Sequence, residues 1–427
     1  MSDSSPVKKA YSYIERGFPN GEIRVPRRGS ELFAHEVNRI IEEKLTFDIH
    51  DARLTHREIW ESIKELLVEI KREEVNEGLS EDIETLFDRR KGDVLSELFG
   101  KELKEYTLTF PLNLGVLEPL VDELPVLNRE FKPVPQNEWI EEYFDVAKAE
   151  DDGFLRNFLD VSPNDFLSET FSYYKIRYNA RSEGYALYRI QDLANIALGK
   201  LNHCIFRHSR EIPRPRNETA LPHETWAALK EPAVYLVFQE GEYLFPRPMD
   251  YGYRRGAKTS HRHQQYIERF YDLPTLSEDD DVDTDLINAL LAFQDGMTES
   301  LRRKSFFGFW RGIEILSQVG RPKSEIKNRS RFGREYMWGE NAVLPIFEKT
   351  HEELDDIRNK LAHDGVHVFV GDDHRNYTKL LLDGMIELYY EERDNFDQDG
   401  FGTFLEYGVE YKENTDKIAR VLEFASR

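Results

Sequence analysis

The run Asp355-Asp356-Ile357-Arg358-Asn359-Lys360-Leu361-Ala362-His363-Asp364-Gly365 decides how the C-terminal third of the chain is read. Leu354, Ile357 and Leu361 recur at helical spacing on one stripe, with Phe347 two turns back, and Gly365 stands where a helix can end in left-handed backbone. That stripe belongs to a core. At about 100° per residue, Asp355, Asn359 and His363 follow one another in i, i+4 steps on the other side, and Arg358 lies roughly 140° from His363. The predicted helix therefore turns an arc of Arg, Asn and His away from its own core.

Such an arc admits two readings. One is a solvated face ended by a histidine that favours the negative end of the helix dipole. The other is a metal-free phosphoryl-transfer site, because a histidine titrating near neutrality moves protons and a permanently charged arginine stabilises a crowded phosphate. Cleavage of RNA through its own 2'-hydroxyl needs those two roles.

The flanking sequence places this helix in a bundle. Leu286, Leu290, Phe293 and Met297 share one helical face, and Phe306, Phe309, Trp310, Ile313 and Leu316 share another. Glu314 falls between Trp310 and Phe307 on the wheel, an aromatic setting in which an unpaired carboxylate is costly, so it calls for a cation. Ahead of these helices runs Glu278-Asp279-Asp280-Asp281-Val282-Asp283-Thr284-Asp285. It lacks the glycine and the terminal glutamate of a calcium loop and reads as a linker that caps the next helix. After the short apolar piece Val366 to Val370, Tyr377, Leu380, Leu381, Gly384, Met385 and Leu388 close the bundle, and a further helix is expected beyond Asp397.

With Arg358-Asn359 and His363 at the end of a helix, two helices before it and one after, the region resembles the HEPN superfamily. Within it, Ala289 to Gly320, and above all Phe309-Trp310-Arg311-Gly312-Ile313-Glu314-Ile315-Leu316, resembles the Apea-like HEPN branch. The resemblance spans about 283–394. It implies a helical bundle that commonly forms a homodimer with the Arg-x-x-x-x-His helices apposed and, in active members, metal-independent endoribonuclease activity in defence or toxin settings. Carried onto this chain it makes Arg358, Asn359, His363 and Glu314 the catalytic set: His363 for proton transfer, Arg358 for the phosphorane, Asn359 for alignment and Glu314 to orient Arg358 or His363. A merely structural Glu314–Arg358 ion pair remains the other reading of the acid, and a noncatalytic bundle used for dimerisation or RNA sensing remains the other reading of the domain.

Arg321, Lys323, Lys327, Arg329, Arg331 and Arg334 form a basic connector in an acidic protein and are followed by Tyr336 and Trp338. Cations with stacking aromatics suit an RNA path; a solvated loop offsetting the bundle's acids suits the same residues. A second basic and aromatic run, Arg247 to Tyr271, extends the same reading more weakly. His261-Arg262-His263 could set two imidazoles on one side of a strand, but no matching third ligand is evident, so no metal site is expected, and no cofactor is expected. No phosphate-binding glycine loop is present, and His203-Cys204 reads as an ordinary packed pair.

Upstream, Pro6, Gly17, Pro19, Gly21 and Pro26 make 1–28 an expected irregular segment. A helical layer over 29–100 follows from Ser30, from the Thr55/Glu58 capping box and from a third segment opened by Ser80 and interrupted near Gly92. A mixed, strand-rich domain over 101–275 follows from alternation at Leu108, Phe110 and Leu112, from a hairpin of Tyr174-Ile176-Tyr178 with Tyr185-Leu187-Arg189 around Gly184, from a helix near Asp192 to Leu201, and from Val234 to Phe238 paired with Tyr243 to Phe245. The fold class is α+β, with the bundle and its extension over 283–427.

At 427 residues the chain suggests two or three domains. Its 81 acidic against 58 basic side chains, a net charge of −23, argue against coating nucleic acid with the whole surface, so RNA contacts must come from local basic islands. One cysteine, Cys204, excludes an internal disulfide framework. The sequence holds no run of transmembrane length, and Met1 to Lys9 lack a signal peptide's apolar core, so a cytoplasmic protein away from membranes is expected.

Overall fold

The structure is a computed structural model and describes residues 5–16, 23–25, 29–45, 52–79, 81–115, 122–151, 153–206, 229–249, 252–254, 256, 261–318, 326–338, 348–363 and 368–409. It is a mixed α and β protein whose chain groups into two compact units, one of 1–108, 177–190 and 237–244, the other of 109–176, 191–236 and 245–427. This grouping departs from boundaries at 100 and 275. The middle of the chain clusters with the C-terminal helices because a long helix from that region packs among them.

The first unit is built on α1 (Pro6–Ser12), α2 (Ser30–Lys44), α3 (His56–Glu77) and α4 (Ile83–Gly100), with β1 (Glu15–Arg16) paired antiparallel to β2 (Ile23–Arg24). The expectation of an irregular 1–28 is corrected by α1: Ser5 accepts from the Val7 N–H, and Pro6 in the first turn has its φ preset for a helix. Val7, Ala10 and Tyr11 join Phe33, Ile40, Ile63 and Leu67 in one core. The Thr55/Glu58 capping box forms as read. Helix α4 is capped by Asp82 and runs unbroken through Gly92, and α2 has Gly29 at its N-cap, with no side-chain cap, so Ser30 is its first residue and not its cap.

The sheet has six strands, β3 (Lys104–Leu112), β4 (Leu124–Val126), β5 (Arg129–Val134), β6 (Ser172–Ala180), β7 (Val234–Gln239) and β8 (Glu242–Pro248), in the order β4-β5-β6-β3-β7-β8. The β7–β8 hairpin turns at Glu240 and Gly241, both at positive φ as a tight hairpin turn requires. Helix α5 (Gln136–Trp139) runs through a π turn, Ile140–Phe144, into α6 (Asp145–Glu150), and α7 (Phe154–Val161) follows. Trp139 donates to Thr109, whose hydroxyl donates to the Tyr174 carbonyl, satisfying a buried polar chain.

The second expected hairpin is corrected. Its first strand is β6, but Tyr185, Leu187 and Arg189 lie on α8 (Glu183–Phe206). Ser182 starts that helix by accepting from the Tyr185 N–H, and Tyr185, Ile190, Leu193, Ala194, Ala197 and Leu201 are buried at helical intervals. His261 and His263 likewise lie on a helix, α9 (His261–Asp272), and not on a strand.

The C-terminal helices are α10 (Asp281–Thr298), α11 (Arg302–Ser317), α12 (Ile326–Trp338), α13 (Glu348–His363), α14 (Asp372–Glu392) and α15 over 398–409. Asp280 of the acidic run caps α10 by accepting from the Asp283 N–H. Helices α10 and α11 meet at two glycines: a Cβ on Gly308 would stand 2.6 Å from the backbone nitrogen of Gly296. Helix α14 is the axis of the bundle and is buried on every side from 377 to 390. Among the described residues no helix is long and apolar enough to cross a membrane.

Candidate functional site

Helix α13 buries Leu354, Ile357 and Leu361 and turns the opposite side outward, where Asn359 and Lys360 are exposed. Arg358 reaches across to α11. Its Nε and Nη2 donate to one oxygen of Glu314, Oε1, at 2.9 and 2.8 Å, and its Nη1 donates to Asn359 Oδ1 at 3.2 Å. The same Glu314 oxygen accepts from Trp310 Nε1 at 2.9 Å. Trp310 itself is buried and stacks on Phe306, so its N–H direction is set by packing.

This arrangement has a physical logic. Glu314, i+4 from Trp310, lies where an aromatic helix face meets the surface, and three donors offset the desolvation of its oxygen. The Arg358 side chain keeps 32% of its exposure, so the guanidinium is aimed without being sealed. Arg358, Asn359 and Glu314 are thus brought together, whereas the backbone of His363 ends α13 five residues after Arg358 and its side chain lies outside the described residues.

The basic stretch is not one surface. Arg321 and Lys323 lie outside the described residues, and from Ile326 onward the stretch is helix α12, not a connector. Arg329 is buried and donates to the Ser317 carbonyl at 2.6 Å; Arg334 is buried and donates to the Leu380 carbonyl at 2.9 Å. Both guanidiniums bridge helices inside the bundle, which corrects their reading as nucleic-acid contacts. Arg331 pairs along its own helix with Glu335, and Lys327 stands 3.7 Å from Asp355, one turn before Asn359. Of the six, Lys327 alone is shown beside the polar arc. In the weaker run, Arg254 is also buried, donating to the carbonyls of Glu231 and Gly252, while Tyr253 is exposed.

A second set of ionisable groups escaped the reading of the sequence. Lys379, Asp383 and Glu387 follow in i, i+4, i+8 steps on α14, all but fully buried, and His203 of α8 sits against them. The sequence signal was present: charges recurring every fourth residue on a helix whose remaining positions are apolar enough to bury it on all sides. Among the described residues no group of three or more His, Cys, Asp or Glu side chains is placed to hold a metal ion. Comparisons of the chain with protein-family models, with curated proteins and with solved structures return no match.

Proposed function

We propose that the chain is a metal-independent endoribonuclease of the HEPN type that cleaves RNA through attack of the 2'-hydroxyl. The observation that carries this reading is the Arg358 guanidinium, held by Glu314 and Asn359 at the surface of the bundle on the helix that ends at His363. In the proposed reaction His363 takes the proton of the 2'-hydroxyl or gives one to the departing 5'-oxygen. The 2'-oxygen bonds to phosphorus, the bond to the 5'-oxygen breaks, and a cyclic phosphate and a 5'-hydroxyl result. Arg358 offsets the charge that grows on the phosphorane, Asn359 aligns the phosphate or the imidazole, and Glu314 fixes Arg358. Lys327 is the neighbouring cation suited to an adjacent phosphate.

Because the arc faces away from the core of its own chain, a two-fold partner would set two copies around one cleft, and a homodimer is part of the proposal. The test is cleavage of single-stranded RNA by the full chain in excess chelator. His363→Ala should lower the rate at least about 100-fold, the usual worth of a positioned proton-transfer group. Equal cleavage by that variant would remove the assignment. A noncatalytic RNA-sensing or dimerisation module is the rival reading, favoured by the burial of Arg329 and Arg334, which takes two of the expected phosphate contacts off the surface. Binding of RNA without turnover, weakened but not abolished by Arg358→Ala, would decide for it.

A further inference from the structure

Away from the polar arc, the interior of the same unit holds a charged cluster that the proposed reaction does not use. His203 lies in the last turn of α8, with none of its side chain exposed. Its two ring nitrogens face two carboxylates of α14: Nε2 is 3.0 Å from Glu387 Oε1, and Nδ1 is 3.4 Å from Asp383 Oδ1. A neutral imidazole carries one N–H, so one nitrogen would turn its lone pair toward an anion. An imidazolium donates to Glu387 and sets its positive charge 3.4 Å from Asp383 Oδ1, a contact outside hydrogen-bond geometry.

The remaining charged groups around the ring support that state. From α14, Lys379 donates to Asp383 at 2.7 Å and to the Phe206 carbonyl, the end of α8, at 2.7 Å. From α9, Arg269 pairs with Glu387 and lies 3.6 Å from Glu391. From α10, Phe293 presents its ring edge-on to the imidazole. On α8 itself Cys204 adjoins His203 and Lys200 turns away to the Leu273 carbonyl, while Arg334 of α12 stands behind Lys379.

We propose that His203 is a proton-operated latch: as imidazolium it bridges Asp383 and Glu387 and locks the C-terminal half of α8 to α14, and loss of that proton frees α8 from the bundle. This holds whether or not the chain cleaves RNA. Burial alone would lower the histidine's pKa, but Asp383 and Glu387 outweigh it and raise the pKa above the ordinary value. A pKa raised by folding gives stability that is complete below about 6.5 and is lost as pH rises through the folded value. Loss of the proton is not global unfolding, because Lys379 and Arg269 leave each carboxylate with a cation. The nearest cleft lies on the far side of Arg269. It measures about 380 Å³, is lined by Gln265, Arg269, Asp272 and Glu391 among others, and reaches the Arg269 guanidinium that pairs with Glu387.

The test is magnetic resonance of the full chain with labelled histidine, together with amide hydrogen exchange. The His203 ring should be imidazolium at pH 7. Protection of the amides over 196–206 should fall by about tenfold or more between pH 6.5 and 9, after correction for the intrinsic exchange rate, while that of α3 stays level. His203→Gln, which keeps a donor but takes no charge, should abolish this step. A neutral ring at pH 6.5, or protection of α8 that does not change with pH, would overturn the latch. The ring titration of the unmodified protein decides the matter even where His203→Gln does not fold.

Discussion

The two charged clusters of the second unit both pair carboxylates with cations and differ in water. On the outer face, Glu314 and Arg358 keep 24% and 32% of their side-chain exposure; inside, His203, Lys379, Asp383 and Glu387 keep 2% or less. Outside, each charge retains solvent, so the pair contributes about 0–1 kcal/mol and can exchange partners. Inside, burial would push the Asp383 carboxyl up and Lys379 down, and only their mutual pairing with His203 holds Asp383 below its ordinary range. Charged groups that retain solvent therefore do little for the fold, and those that secure the fold are closed to it.

The widest gap between the clusters is expected on truncation. Asp383→Ala leaves the Lys379 ammonium without its carboxylate in the interior and His203 with Glu387 alone, and should cost about 3–5 kcal/mol, read from denaturant midpoints. Glu314→Ala should cost less than about 1 kcal/mol by the same measurement. Similar costs at the two positions would erase the distinction.

Lys200 takes the comparison to a buried charge whose partners among the described residues are a carbonyl and a ring. It donates to the Leu273 carbonyl, lies over the Phe270 ring, and burial pulls its pKa down to about 8. A folded value below the unfolded one means the penalty is complete below pH 8 and is relieved as pH rises toward about 10.4. Lys200→Met should therefore be more stable than the parent by about 2 kcal/mol at pH 7, with the difference vanishing near pH 10. A difference that is flat with pH would show that the lysine is solvated in the native state. Gly308→Ala is the charge-free control. A methyl 2.6 Å from the Gly296 nitrogen must part α10 and α11, and the overpacking cost less the helix preference of alanine leaves a net loss of about 1–2 kcal/mol.

How much of this was legible follows the same division. The buried stripe of α13 could be read from Leu354, Ile357 and Leu361, and the need of Glu314 for a cation could be read from its aromatic neighbours. Periodicity reports which side of an element meets water, and at the surface that is enough. Tyr185-Leu187-Arg189 misled because alternation over five residues also fits a helix buried on several sides, and Ser182 as its cap was passed over. Arg329 and Arg334 misled because composition cannot separate a guanidinium facing solvent from one that donates to a backbone carbonyl of a neighbouring helix. The latch was hidden for a stronger reason: His203 and Glu387 are 184 residues apart, and nothing local to either forecasts the other.

The smallest stability change is expected where the chemistry is most exposed, at Glu314→Gln. The substituted side chain keeps an oxygen that accepts from Trp310 Nε1 and from Arg358, so shape and most hydrogen bonds survive. What is lost is a charge at a partly solvated site, worth less than about 1 kcal/mol of stability. The guanidinium, no longer held by an anion, spends part of its time swung into water. If it stabilises a phosphorane, the cleavage rate should fall by about tenfold at constant KM, since an interaction strengthened in the transition state has been weakened and ground-state binding has not. An unchanged rate beside unchanged stability would make the pair an incidental surface contact, whereas a loss of several kcal/mol would move it into the same class as Asp383 and Lys379.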